Sequence, residues 1–252
     1  MKSIYFFPAK NLMVSIPLVL IIAVIVGFLF DTSWMSSTIL IATMTMIYPT
    51  MIGVQWKALV NLKEKKLITY ALIINFIAIP MFAFILGFFF LKNEPIMFAG
   101  LALAALLPTS GMTISWTSLS KGNVPAAVKL TVIGLIVGAI LAPFYLLLMV
   151  GQFVDINFLT IMRTILAVVF IPLLLGSLTT HLLKKRVHQE TIKKKIKPSL
   201  QPLSIWAMLY IIFASISMRA EIIVENVGMI GLSIIVLILF YAVLFLLVTW
   251  IA

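Results

Sequence analysis

Long apolar runs, each closed by a short polar or charged cluster, succeed one another along this sequence. A helix needs about 20 apolar residues to cross about 30 Å of hydrocarbon. By that measure eight runs qualify, at 12–30, 38–54, 67–91, 95–118, 124–150, 158–183, 203–218 and 227–252. The connections are short apart from a basic loop at 184–201. In lipid, backbone amides must find partners within the segment, so runs of this length predict helices. The pattern predicts an all-α polytopic membrane protein of about eight transmembrane helices. The first run follows Lys2 and Lys10 like a secretory signal, but it is too long for one and lacks a small-residue cleavage site, so it reads as a retained helix.

Charge sharpens this picture by giving the spans a direction. With the N-terminus on the cytoplasmic side, alternate ends of the runs place 15 of the 18 lysines and arginines inside and leave Lys92, Arg163 and Arg219 outside. Asp31, Glu94, Asp155, Glu221 and Glu225 fall outside as well. The expected location is therefore the cytoplasmic membrane, multi-pass, with a cytoplasmic N-terminus. The basic loop 184–201 lies on the same inner side.

Composition excludes other classes. Apolar residues make up 63% and charged residues 10% of the chain, against roughly 25% charged in a soluble domain. A net charge of +11 would suit nucleic acid, but the charges sit at span ends rather than on one basic face, so a nucleic-acid partner is not expected. Without cysteine there is no thiolate metal site or cysteine nucleophile. His181 and His188, beside lysines, read as surface residues. No cofactor is expected beyond Na+ as a coupling ion. An intramembrane enzyme would need paired carboxylates, histidines or a Ser/Lys dyad within the spans, and the runs do not carry them. A non-transporting membrane subunit would be favoured by a large soluble extension, which this sequence lacks.

The fourth run carries the candidate chemistry. Small and apolar residues continue to Leu107, then Pro108, Thr109, Ser110 and Gly111 interrupt them, followed by Thr113, Ser115, Thr117 and Ser118. Pro108 removes a backbone donor and clashes with the preceding turn, and Gly111 leaves helical geometry cheaply. The break lies about 20 Å along a helix from Pro95, near mid-membrane. Carbonyls and amides freed at that depth must line a cavity or be buried in protein. Transporters use such breaks: half-helix N-termini attract anions, and unwound carbonyls with hydroxyls hold sodium. Thr109, Ser110 and Thr113 are the candidate Na+ ligands, with Ser115 as a further donor. A proline kink repaired by a neighbouring hydroxyl would explain the break alone, but not the hydroxyl run that follows.

Other polar residues lie within spans. Asn75, with Pro80 beyond it, either faces a cavity or bonds a neighbouring helix. Lys129 lies two turns inside the fifth run, where snorkelling to the surface accounts for it and a substrate contact is the alternative. Arg163 reads as an interfacial anchor. Tyr48-Pro49 and Trp56 read as the kinked, aromatic end of the second run.

Four patches together resemble the arsenite-efflux permeases, a branch of the bile acid:sodium symporter superfamily. They are Met46-Ile47-Tyr48-Pro49 with Val54 and Trp56; Asn75-Phe76-Ile77 with Pro80; Pro108, Met112, Trp116, Thr117, Leu119 and Gly122-Asn123; and Phe213 with Arg219-Ala220-Glu221. Two positions depart from that branch. Thr109 stands where the permeases carry a cysteine, and Ile133-Gly134 stands where they carry an Asn-Asp pair. Thr109, Ser110 and Thr131 are hard oxygen donors, suited to sodium rather than to a thiol-seeking substrate.

The resemblance implies two inverted five-helix repeats with a discontinuous fourth helix, the first at 1–150 and an incomplete second at 151–252. Ile16-Pro17-Leu18 and Ile171-Pro172-Leu173 occupy matching places in the two halves. The last run continues apolar to Ala252, so the second repeat is expected to lack its final helices. The expected function is secondary transport of a small anion, organic or oxyanion-like, by symport or antiport with Na+ or H+. An inactive remnant is the rival reading. Substrate and ion contacts are expected at Asn75, Pro108, Thr109, Ser110, Gly111, Thr113, Ser115, Lys129 and Thr131. The partners are a small anionic solute and the bilayer, with homo-oligomerisation left open.

Overall fold

The computed structural model describes residues 2–52, 64–106, 113–114, 116–117, 120–151 and 157–251. All regular structure among them is helical. In chain order the helices are α1 (Lys2–Lys10), α2 (Leu12–Leu29), α3 (Ser36–Met51), α4 (Lys65–Phe90), α5 (Pro95–Leu106), α6 (Val124–Val150), α7 (Phe158–Lys184), α8 (Lys197–Ser217), α9 (Ala220–Glu225) and α10 (Val227–Ile251). Among the described residues six of these, α2, α4, α6, α7, α8 and α10, are long and apolar enough to cross a membrane. The other two predicted spans correspond to α3, with 16 residues, and α5, whose described part has 12. Pro49, expected at a kinked end of the second span, lies inside α3 two residues before its last residue, Met51. Trp56 lies outside the described residues.

The chain divides into two compact units that interleave the sequence. One comprises Met1–Val54 with Ala167–Val227, the other Gln55–Leu166 with Gly228–Ala252.

In the first unit α8 packs against α2 and α3. Lipid tails are as apolar as the side chains, so helix association in a membrane rests on close packing and on interhelical hydrogen bonds. Both are present. A Cβ on Gly27 would stand 2.1 Å from the Ser217 carbonyl oxygen, so only glycine lets α2 approach the α8 backbone this closely. Thr38 Oγ1 and the Tyr210 hydroxyl lie 2.6 Å apart, and Ser204 Oγ donates to the Met46 carbonyl at 2.7 Å. Trp206 Nε1 donates to the Tyr5 carbonyl at 3.1 Å, which ties α1 to α8. In the connection between α2 and α3, the Ser33 hydroxyl and backbone N–H both donate to Asp31, holding its carboxyl below the usual aspartate range.

The second unit is built from α4, α5, α6 and α10. Its core is apolar: Phe98, Ala102, Val150 and Phe240 are essentially inaccessible, and Phe82 stacks on Phe240 with ring centres 5.9 Å apart. Gly138 lets α6 meet α5, since a Cβ there would lie 2.9 Å from the Leu106 carbonyl oxygen. Ser233 on α10 reaches Met97 Sδ at 2.7 Å.

Candidate functional site

The polar features of the second unit gather along the seam between α4 and α6. Lys129 Nζ donates to Glu64 Oε2, and the two side chains are 5% and 19% exposed. Glu64 immediately precedes α4, and Lys129 is in the second turn of α6, so the pair joins the N-terminal ends of the two helices. A buried ammonium carries a desolvation cost that a paired carboxylate offsets. The Lys129 ammonium thus reaches from two turns inside α6 to the carboxylate at the start of the adjoining helix, and the side chain is buried on the way.

Further along the seam α4 leaves α-helical geometry. Residues Ile74–Ala78 form a π-helical turn, in which the N–H of Ile79 bonds to the carbonyl of Ile74, five residues back. Pro80 has no N–H to give, so the Phe76 carbonyl loses its ordinary i+4 donor. The Tyr145 hydroxyl on α6 donates to that carbonyl instead. Such turns recur at functional sites, and this one contains Asn75, which is half-buried.

Between these two connections runs an open groove of about 340 Å³, lined by Thr69, Leu72, Ile73, Phe76 and Ile77 of α4 and by Val137, Leu141 and Tyr145 of α6. The first unit has a groove of about 310 Å³ between α3 and α7, where the Tyr48 hydroxyl and Thr179 Oγ1 lie 2.9 Å apart.

The residues predicted for the site fall into separate surroundings. Pro108, Thr109, Ser110, Gly111 and Ser115 lie outside the described residues. Thr113 is in a short helical segment, and its carbonyl accepts from Thr117 Oγ1 at 2.8 Å. Thr131 is buried, with its hydroxyl donating to the Ala127 carbonyl at 2.8 Å. Residues two apart on a helix point about 200° from each other, so Thr131 and Lys129 face different neighbours. Asn123 caps α6 by accepting from the Ala126 N–H at 3.0 Å. Just before it, Lys121 has a φ of 55°, a left-handed turn into the helix.

Two contributors escaped sequence reasoning. Glu64 sits beside Lys63, Lys65 and Lys66, and reads as one more end charge. The signal that could have found it is the demand of an intramembrane lysine for a carboxylate starting a span on the same side. Tyr145 could have been found from the carbonyl that Pro80 leaves without a donor.

Against known proteins, the sequence profile of the Sodium Bile acid symporter family matches residues 38–226, about three quarters of the chain. The chain belongs to that family. The symporter-family match runs from α3 into the end of α9, and it takes in the Glu64–Lys129 pair, the π-helical turn and Tyr145. Two curated relatives were found. The chain is similar to the arsenical-resistance protein Acr3 of Corynebacterium glutamicum, with 26% identity over 214 residues, covering 79% of this chain and 58% of that protein. It is also similar to an uncharacterised protein, YbaS, of Bacillus subtilis, with 30% identity over 108 residues, covering 43% of this chain and 35% of that one. The chain thus spans between about a third and three fifths of the length of these relatives. Family and helices together make it a multi-pass membrane protein of a transporter family rather than an enzyme family.

Proposed function

We propose that this chain is a secondary transporter, or most of the helices of one, moving a small anion across the cytoplasmic membrane with its N-terminus inside. The observation that carries the reading is a buried lysine, held by Glu64, within the helices that match the symporter family. Ionisable side chains inside a membrane bundle are costly and mark substrate or ion pathways. An anionic solute is the ligand class that a buried ammonium attracts.

Na+ or H+ drives the transport in this reading. Thr109, Ser110 and Thr113 supply hard oxygen donors for Na+, Asn75, Ser115 and Thr131 add polar groups, and Glu64 is the carboxylate that could carry a proton. The similarity to an arsenical-resistance protein supports an oxyanion. Thr109 favours an anion with no need for thiolate, so small carboxylates and bile-acid-like anions stand beside arsenite. The inverted repeats at 1–150 and 151–252 belong to the same proposal. In this reading transport proceeds by alternating access, one helix bundle rocking against another.

The test is flux into proteoliposomes of radiolabelled arsenite, a bile-acid-like anion and small carboxylates, with and without Na+ and pH gradients. Gradient-dependent uptake of at least one anion, lost in the K129Q variant, is expected. Equal uptake by protein-free and protein-containing vesicles for every anion, with the protein folded, would overturn the proposal.

A further inference from the structure

The groove between α4 and α6 has a built direction. Counting along α4 from Lys65, residues 69, 72, 73 and 76 return to the same face at helical spacing, and Thr69, Leu72, Ile73 and Phe76 are the residues that line the groove. Counting from Lys66, residues 70, 73 and 77 do the same. Tyr70 is 66% exposed and Ile77 59% exposed. Lys65, Lys66 and Tyr70 are exposed and stand within about one turn of Thr69 on α4, next to a lining that is mostly apolar. From Thr69 to Ile77 the lining covers about 12 Å of helix at 1.5 Å per residue.

The charges at that end are also out of balance. The carboxylate beside the two lysines, Glu64, is turned into the seam onto Lys129. Neither Lys65 nor Lys66 has an acidic partner among the described residues. An apolar groove at membrane depth accepts an acyl chain, and paired lysines at its polar end accept a phosphate. Tyr70, one turn on, is an aromatic of the kind that sits at headgroup level.

The geometry points to a binding site for one anionic phospholipid, with an acyl chain along Thr69, Leu72, Ile73, Ile77, Val137 and Leu141 and the headgroup phosphate on Lys65 and Lys66. The π-helical turn lies at the far end of this site, where Tyr145 holds the Phe76 carbonyl and both residues line the groove. The inference does not depend on which anion is carried.

The experiment uses the full chain, purified and placed in nanodiscs of equal parts phosphatidylglycerol and phosphatidylcholine, then released for native mass spectrometry. The expected result is one retained phosphatidylglycerol, preferred over phosphatidylcholine by roughly tenfold or more, as two lysines at a membrane surface give. The K65Q/K66Q variant should keep a bound lipid and lose the preference. Ile77→Trp, which fills the groove, should lose both lipids, and if that variant does not fold, the lysine variant decides alone. Equal retention of the two lipids by the wild type would overturn the inference, as would an undiminished phosphatidylglycerol preference in K65Q/K66Q. A third contrary result would be an efficient disulfide-linked dimer of Ile77→Cys, the sole cysteine in that variant, because a second copy would then occupy the groove.

Discussion

The Tyr145 hydroxyl donates to the main-chain carbonyl of Phe76, 69 residues earlier in sequence, at the place where Pro80 removes that carbonyl's helical donor. The side chain of one helix completes the backbone of another. Tyr145→Phe should therefore cost about 1–3 kcal/mol, the penalty for a polar group left without its partner. Pro80→Ala restores an N–H in α4, so the same Tyr145→Phe change should cost less in that background. Thermal unfolding of the four proteins in detergent measures the coupling. Equal losses in both backgrounds would show that the hydroxyl does not serve the Phe76 carbonyl.

The Glu64–Lys129 pair separates a structural role from a receptor role. Glu64→Gln and Lys129→Gln each remove one half of a buried ion pair and should destabilise by about 3 kcal/mol, toward the low end of the usual range because Glu64 keeps some exposure. The swap Glu64→Lys/Lys129→Glu should recover most of that stability. Anion flux should not return with it, because the ammonium has moved to the other helix. Full flux in the swapped protein would make the pair a fastening between α4 and α6 and nothing more.

Gly27 tests how the first unit is held. An added Cβ would meet the Ser217 carbonyl at 2.1 Å, and neither backbone can yield without moving a helix. Gly27→Ala should lower stability by about 1–3 kcal/mol. Gly228→Ala is the control, since nothing lies within 4 Å of its Cβ position. Similar melting temperatures for the two variants would refute the close approach of α2 to α8.

Replacing Pro108-Thr109-Ser110-Gly111 by four alanines should abolish anion uptake while membrane insertion and expression stay intact. An unbroken alanine helix has no freed carbonyls and no hydroxyls to hold an ion. Undiminished uptake would remove these residues from the site.

The sequence revealed the fold better than it revealed the seam. Apolar runs mark spans because the membrane imposes a length on them, and each of the eight predicted runs holds a described helix, while α1, α9 and the helical turns from Gln189 to Ile196, inside the predicted loop 184–201, lie outside them. Their bounds were less legible: α3 begins at Ser36, two residues ahead of the predicted run, and α8 begins at Lys197, six residues ahead of its own. The partner of Lys129 was hidden by a separation of 65 residues and by the lysines around Glu64, which make it look like an ordinary end charge. The π-helical turn was hidden for a different reason. Ile74–Ala78 reads INFIA, which suits an α-helix equally well, and the departure shows only in the backbone bond from Ile79 to Ile74 and the tertiary bond from Tyr145.

That turn also has a bearing on how the chain is compared with others. A π-helical turn accommodates one residue more than the α-helix around it, and one residue is about 100° of rotation. The stretch Lys65–Ile73 and the stretch Ile79–Phe90 are thus out of phase by that angle, like two halves of a shaft joined by a keyed coupling. Deleting a single residue within 74–78 would straighten α4 and swing Thr69, Leu72 and Lys65 to a neighbouring side while leaving Ala83 and Leu86 in the core. In a homologue without the extra residue, positions that align letter by letter before the turn would point in another direction. Equivalence of side chains along this helix is a matter of angle as well as of alignment.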